Sequence, residues 1–411
     1  MNILYLTLGI IRDDKHTDIN SSLMREFVKQ GHDVYIISPV ERREQKKISH
    51  RDYGRFHLHF ANIGNYFNTP WIEKGLTTVF LKRSYVKVVT DELTHIDFDL
   101  VIYSTPPVTF SGVIQYLRKH YSLNTFLLLK DVWPQSMVDM RILNKKGLQG
   151  IVYRYFEIKE KQLYRCSDYI GCMSPACAKY LLKHNRYIRR KQVSVCPNAL
   201  NFDDEWNQIE LTKEERAKIR KRNGIPIDKT VFVFGGNIGK GHDPDFLERC
   251  IELNENRNDT FIMFVGKGVY YERIKTYINT KNVRNADIIG YLPQQEYVRL
   301  MAACDVGMVT LDHRFTCPNY PSRILSYLVD KKPIIVAQDK ASDVGPIAEK
   351  NGYGYYCEST NPERFVKLMG KYIDEERRIE MGERGYAYLH NYYNTKKVYD
   401  TMMSSLKGVI G

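Results

Sequence analysis

The sequence predicts an α/β protein of two domains, each a doubly wound parallel sheet, and three observations carry that reading. Short apolar runs of strand length alternate with helical stretches along almost the whole chain, which is the pattern of βαβ units. The pattern stops at a polar, charged break over residues 201–228, ending in Gly224-Ile225-Pro226, and then starts again. A length of 411 residues also exceeds one ordinary domain and suits two of about 200 residues.

Taken in order, the strands expected in the first domain are Ile3–Thr7, Asp33–Ser38, Leu100–Ser104, Thr125–Lys130, Tyr169–Met173 and Val193–Cys196. Helical patterns fall at Ser21–Gln30, Val108–His120, Gly150–Arg165 and Ala176–His184. The second domain has candidate strands at Thr230–Gly235, Thr260–Val265, Ala286–Ile289, Val306–Leu311, Pro333–Ala337 and Gly354–Cys357. The domains are therefore placed at 1–199 and 200–380, with 381–411 as a helical segment returning toward the first. Right-handed crossovers put the C-terminal ends of parallel strands on one edge, where ligands bind.

Composition narrows the class. Hydrophobic residues make up 43% of the chain, too many for a disordered protein. No apolar run reaches the roughly 20 residues that span a bilayer. The opening MNILYLTLGIIRDD lacks a basic n-region and a small-residue cleavage site, and reads as a first strand rather than a signal peptide. The eight cysteines show no CxxC and no metal-type spacing, and read as reduced cytosolic thiols.

The net charge of +13 is lopsided: residues 1–200 hold 30 Lys and Arg against 18 Asp and Glu, and the remainder has an excess of one. A solvated surface has that composition, and so does a domain facing an anionic leaflet or a diphosphate-bearing substrate. Tyr66, Phe67, Trp71 and Ile72 stand near Lys74, Lys82 and Arg83, as at a headgroup boundary or in a core loop. No nucleic-acid-binding module is present. The absence of GxxxxGK[ST], and of GxGxxG after the first strand, argues against a P-loop NTPase and a dehydrogenase.

Residues suited to binding a nucleoside diphosphate sit at strand ends of the second half. Phe234-Gly235-Gly236-Asn237-Ile238-Gly239-Lys240-Gly241 combines glycines, which admit close backbone approach, with a lysine. Val265-Gly266-Lys267-Gly268 repeats the device, although an ordinary βα turn has the same pattern. Pro321-Ser322-Arg323 puts a hydroxyl and a guanidinium at a helix start, either as a phosphate site or as a plain cap beside a solvated arginine. In the first half, Lys130-Asp131 follows a buried strand at the binding edge, as a site pair or a structural ion pair. Ser104-Thr105-Pro106-Pro107 ends the neighbouring strand, and Arg12 follows the first.

With these pieces in order, the chain resembles glycosyltransferase family 4, and within it the bacterial sugar transferases of capsule, O-antigen and colanic acid assembly. The carrying motifs begin with Gly31-His32-Asp33-Val34, Ser104-Thr105-Pro106-Pro107, Lys130-Asp131-Val132-Trp133-Pro134-Gln135-Ser136 and Cys196-Pro197-Asn198. They continue with Gly236-Asn237-Ile238-Gly239, Val265-Gly266-Lys267-Gly268, Gly290-Tyr291-Leu292-Pro293, Tyr320-Pro321-Ser322-Arg323 and Asp343-Val344-Gly345.

The resemblance implies the GT-B fold, with two Rossmann-like domains facing each other across a cleft. It implies an acceptor-binding N-terminal domain, a donor-binding C-terminal domain, retention of anomeric configuration and no metal or other cofactor. Lys130 and Asp131 would be catalytic, without a proton-transfer role fixed for either. Gly236, Asn237, Lys240, Lys267, Ser322 and Arg323 would bind the donor diphosphate. Tyr291, Leu292 and Ser326 would lie near the base and ribose, and Arg12, Thr105 and Pro106 on the acceptor side. The family's two glutamates, spaced by seven residues, are replaced by Pro318 and Ser326.

The activity expected is transfer of a hexosyl or N-acetylhexosaminyl group from a nucleotide sugar to a lipid-linked saccharide. The expected setting is the cytoplasmic, anionic face of a bacterial plasma membrane, in surface polysaccharide synthesis. A nucleotide-sugar epimerase or a catalytically silent scaffold subunit are the competing readings; donor hydrolysis assays separate the three.

Overall fold

The computed structural model describes residues 1–44, 50–202 and 209–408, and of Trp71 only the backbone. The chain forms two compact units, Met1–Glu205 with Tyr393–Gly411, and Trp206–Tyr392. Part of the polar break, 203–208, lies outside the described residues.

The first unit is built on strands β1 (Asn2–Leu6), β2 (Asp33–Glu41), β3 (Arg51–Tyr53), β4 (Phe56–Ile63), β5 (Leu100–Ser104), β6 (Asn124–Leu129), β7 (Tyr169–Cys172) and β8 (Val193–Val195). They form one sheet in the order β3-β4-β2-β1-β5-β6-β7-β8. Only the β3–β4 pair is antiparallel. Its helices are α1 (Ile19–Lys29), α2 (Trp71–Glu92), α3 (Ser111–His120), α4 (Gln135–Asp139), α5 (Gly147–Arg165) and α6 (Pro175–His184). Strand side chains alternate between two layers. Ile3, Tyr5, Ile36 and Ile102 share a core with Met24 and Phe27 of α1. On other elements, α2 and α5 both pack on α3 and on the 3-10 turn Val108–Phe110 that precedes it.

The second unit contains α7 (Lys213–Arg222), β9 (Thr230–Gly235), α8 (Pro244–Asn254), β10 (Thr260–Val265), α9 (Tyr271–Thr280), β11 (Ala286–Ile289), α10 (Gln294–Ala303) and β12 (Val306–Thr310). It continues with α11 (Arg323–Val329), β13 (Ile334–Gln338), α12 (Val344–Lys350), β14 (Gly354–Glu358), α13 (Pro362–Met369) and α14 (Glu375–Tyr392). Its six strands are all parallel, in the order β11-β10-β9-β12-β13-β14. This is the 3-2-1-4-5-6 order of a doubly wound sheet, with the switch point between β9 and β12. The same reversal lies between β1 and β5 in the first unit.

The segment expected at 381–411 as one piece divides between the units. α14 stays with the second, and α15 (Thr395–Lys407) packs on the first. Leu200 bridges backbone to backbone with the chain entering α15, its N–H reaching the Tyr393 carbonyl at 2.8 Å and its carbonyl accepting from Thr395 N–H at 3.1 Å. Tyr399 then meets Phe27 edge-on at 4.9 Å and pairs through its hydroxyl with His32 at 2.9 Å.

Three elements between Ser38 and Leu100 are absent from the sequence reading: the strands β3 and β4 and the helix α2. β4 alternates correctly, with Phe56, Leu58 and Phe60 buried, but places histidines between them. His59 is nevertheless buried, because its ring nitrogen bonds the Glu92 carboxylate at 2.6 Å. α2 carries buried Leu81, Tyr85 and Val89 on one side and exposed Ile72, Leu76 and Phe80 on another, and two apolar faces blur the single amphipathic stripe that marks a surface helix. None of the eight cysteines forms a disulfide, and all are buried.

Candidate active site

At the C-terminal edge of the first unit, Lys130 leaves β6 and turns its ammonium onto the Asn20 side-chain carbonyl of α1. The same oxygen accepts from the Tyr5 hydroxyl of β1 at 2.8 Å. Asn20 in turn donates to Asp18 at 2.9 Å. Asp18 caps α1, accepting from Ser21 N–H at 2.7 Å, so its charge is fixed near the lysine. Burial lowers Lys130 to about 8, against the pull of Asp18 and Asp131. Desolvation by the surrounding protein raises the neighbouring Asp131 carboxyl, which still reaches solvent, and Lys130 opposes that shift.

Thr105 joins this site to β5. Its hydroxyl donates to the Asp131 carbonyl at 3.1 Å and accepts from Lys130 N–H at 3.1 Å. Thr105–Pro106, Pro106–Pro107 and Trp133–Pro134 are cis peptides. A cavity of about 10 Å³, room for one water, lies beside Lys130, Asn20 and Asn198. Arg12 is engaged elsewhere: its guanidinium makes a bidentate pair with Glu44 at 2.9 and 3.0 Å and donates to the Pro39 carbonyl.

In the second unit, the loop after β9 is tied to the loop after β10. Gly236 N–H donates to Val265 O, and Ile238 N–H to Lys267 O, both at 2.8 Å. Two glycines allow this approach. Gly236 has φ +108° and Gly266 φ +140°, and a Cβ on Gly266 would stand 2.0 Å from the Gly236 carbonyl oxygen. Asn237, Lys240 and Lys267 are exposed on the rim of this pair of loops. Tyr291 is 75% exposed after β11, with Leu292 half-buried beside it.

Beneath the first loop lies Arg323. Its guanidinium carbon is 4.0 Å from the centroid of the Phe234 ring, a cation–π stack. Nη2 lies 3.4 Å from the Asn237 carbonyl and 3.3 Å from Nε2 of His242. Nη1 is buried and has no hydrogen-bond partner. Such a donor, enclosed and unpaired, is costly unless something else pairs with it.

The His242 Nδ1 atom is 2.7 Å from the Thr310 carbonyl oxygen. That oxygen only accepts, so the proton is assigned to Nδ1, and Nε2 faces Arg323 as an acceptor. Burial and the Arg323 charge lower the imidazole to about 3, so it is neutral at physiological pH. His242, Asn20 and Tyr5 were not among the residues singled out from sequence, and Phe234 entered only as the strand residue before the glycine loop. His242 adjoins the glycine loop, but only its contacts distinguish it from an ordinary loop residue.

Several expected roles look different in place. Ser322 is exposed and makes no capping hydrogen bond, and α11 has only seven residues. Ser326 donates back to the Arg323 carbonyl at 2.8 Å, inside its own helix. The start of α8 is already served by Asp243, whose carboxylate accepts from Asp245 N–H at 3.0 Å. Pro318 is buried. A separate hollow of about 490 Å³ lies at the opposite strand ends of this unit, near Asp305 and Pro333. Its lining includes the ion pairs Arg216–Asp305, Lys332–Asp330 and Lys331–Glu383.

A glycine loop closing on a buried guanidinium at the switch point of a doubly wound sheet is the kind of place that receives a phosphate-bearing ligand. Comparison with known proteins gives that architecture its class. Residues 21–204 match the family model Glycosyltransferase Family 4, and residues 215–388 match Glycosyl transferases group 1. The chain is a glycosyltransferase of the GT-B type, with a family 4 domain followed by a group 1 domain.

Among individual proteins, it is 24% identical over 320 residues to a probable glycosyltransferase, WbjE, of Pseudomonas aeruginosa, covering 76% of this chain and 74% of that one. Its fold is similar to sucrose-phosphate synthase of Thermosynechococcus elongatus (TM-score 0.72, 12% identity, 100% and 99% of the two chains). It is also similar to Anabaena HepE in complex with UDP-glucose (TM-score 0.67, 13% identity, 99% and 100%). WaaG, a glycosyltransferase of lipopolysaccharide biosynthesis, matches with TM-score 0.64 at 13% identity over 97% and 98%.

Proposed function

We propose that this chain transfers a hexosyl or N-acetylhexosaminyl group, with retention, from a nucleotide diphosphate sugar to a lipid-linked saccharide. The proposed setting is the inner face of a bacterial plasma membrane, in surface polysaccharide synthesis. One observation carries the donor half: the buried, unpartnered Nη1 of Arg323 below the loop Gly236–Gly241. A leaving diphosphate develops negative charge, and preorganised cations stabilise that charge as it forms. Arg323, with Lys240 and Lys267 on the rim, supplies positive charge from side chains alone, so we assign no metal. The HepE structure holds UDP-glucose, which makes uridine nucleotides the first donors to try.

The acceptor half is assigned to Lys130, Asp131 and Thr105. Their place at the switch edge of the first unit supports the assignment. Lys130 and Asp131 would hold and polarise the acceptor hydroxyl beside the anomeric carbon. A thermal-shift screen of UDP-, GDP- and TDP-sugars tests the donor reading. A ligand at 100 times its Kd adds about 2.7 kcal/mol, whereas an unmoved melting curve across the panel removes it. Radiolabelled transfer to membrane lipid extracts, with and without EDTA, tests the acceptor class and the assignment of no metal.

A further inference from the structure

The first unit exposes two apolar stripes. On α2, Ile72, Leu76, Val79 and Phe80 are exposed, Phe80 at 63%. On α5, Leu148, Ile151, Val152 and Ile158 are exposed, Leu148 at 85% and Ile151 at 67%. Spacings of three, four and seven residues put each set on one face of its helix. The two helices flank a common support, α3 and the turn before it: α2 and α5 each pack against Val108–Phe110. Eight large exposed apolar side chains on two such helices exceed the scattered few that an ordinary surface carries.

The charge around them is mainly positive: the acidic residues of the two helices cluster at Glu73, Asp91, Glu92, Glu157 and Glu160, and Asp91 pairs with Lys87. No Asp or Glu occurs from Lys74 to Thr90, which includes Lys82, Arg83 and Lys87. None occurs from Met140 to Phe156, which includes Arg141, Lys145, Lys146 and Arg154. Glu73, just before the first stretch, is paired with Arg42. α2 lies on the connection from β4 to β5, and α5, after α4, on the connection from β6 to β7, so both run back from the strand-end edge that carries Lys130 and Thr105. Among the described residues no helix is long and apolar enough to cross a membrane.

We propose that α2 and α5 together form a docking surface for an anionic phospholipid bilayer. Their apolar stripes enter the headgroup boundary, and their basic residues rest on the lipid phosphates. Apolar area and anionic attraction are the two terms that hold an interfacial helix, and this face has both. A second copy of the chain would have to bring the same positive charge against itself. The docked face would present the Lys130 edge to a substrate carried in the bilayer. This inference deepens the membrane-facing part of the proposed function and rests on it. Its test involves no turnover, so its failure leaves the transferase reading standing.

Sucrose-loaded vesicles of phosphatidylcholine, alone or mixed with phosphatidylglycerol, are sedimented with the whole chain. The expected result is binding to the mixed vesicles that weakens with added salt, because surface charge is screened. The double variants Ile72→Ser/Phe80→Ser and Leu148→Ser/Ile151→Ser should each lower partitioning by about ten-fold or more, with unchanged melting curves. Lys145→Glu/Lys146→Glu should erase the preference for anionic lipid. Failure of the wild type to bind mixed vesicles, or equal binding by the serine variants, overturns the proposal. So does a lipid-free dimer in sedimentation velocity that the serine variants dissolve, which would make this face a contact between copies.

Discussion

His242 accepts a hydrogen bond from Arg323: Nε2 lies 3.3 Å from Nη2, while Nδ1 donates to the Thr310 carbonyl. The arginine is thereby held over the Phe234 ring with Nη1 uncommitted. Replacing His242 by Leu should leave Nη2 short of an acceptor and weaken binding of a nucleoside diphosphate about ten-fold, the scale of a hydrogen bond to a charged group. Gln, which offers both a donor and an acceptor, should restore much of that affinity. Calorimetry with UDP and GDP checks it; equal affinity in wild type and His242→Leu would free Arg323 from this support.

The same imidazole should leave a mark on acid stability. Its ordinary value of 6.5 falls to about 3 in the folded chain. Below pH 6.5 the unfolded state takes up a proton that the folded state refuses, so stability declines as pH falls from 6.5 toward 3. His242→Gln should flatten that decline in urea titrations run across the window. An unchanged slope would mean that the ring protonates in place.

Removing Arg323 itself is the more direct measurement. Arg323→Ala should cost about 1.5–3 kcal/mol in nucleoside diphosphate binding. Lys240→Ala should cost less, because its ammonium is exposed and solvent screens it. Unchanged affinity in both variants removes them from the donor site.

Asp131→Asn should reduce turnover strongly while nucleotide affinity stays near wild type. Loss of affinity with turnover intact at saturating donor would reverse the assignment. Lys130 adds a pH signature. With its value lowered to about 8, it is charged below that pH and neutral above it. If the ammonium is needed, transfer should fall as pH rises through about 8, and Lys130→Arg should move that limb well above it.

Gly266→Ala tests the loop pair. The new methyl would meet the Gly236 carbonyl oxygen at 2.0 Å, on a residue with φ +140°. The backbone must shift, at a cost of about 1–3 kcal/mol. Both the melting temperature and nucleotide affinity should fall. A variant with unaltered affinity would place the donor away from this loop.

The sequence by itself determined the elements whose pattern is local. All twelve strands read from apolar runs are present, from Ile3 at the start of the chain to Cys357 near its end, because a strand buried on both faces is a continuous apolar run. The glycine loops at 235–241 and 266–268 were equally legible, since close backbone approach leaves only glycine as a residue type. Only the tertiary structure decided what depends on partners distant in sequence. β4 is a strand with a buried His59 because Glu92, thirty-three residues on, neutralises the cost. Arg323 is a buried donor rather than a solvated cap because Phe234 and His242, about eighty residues earlier, enclose it. The exposed stripes of α2 and α5 come from helices that share one support, α3 and the turn before it. Such pairings are set by how strands and helices stack, and no local periodicity records them.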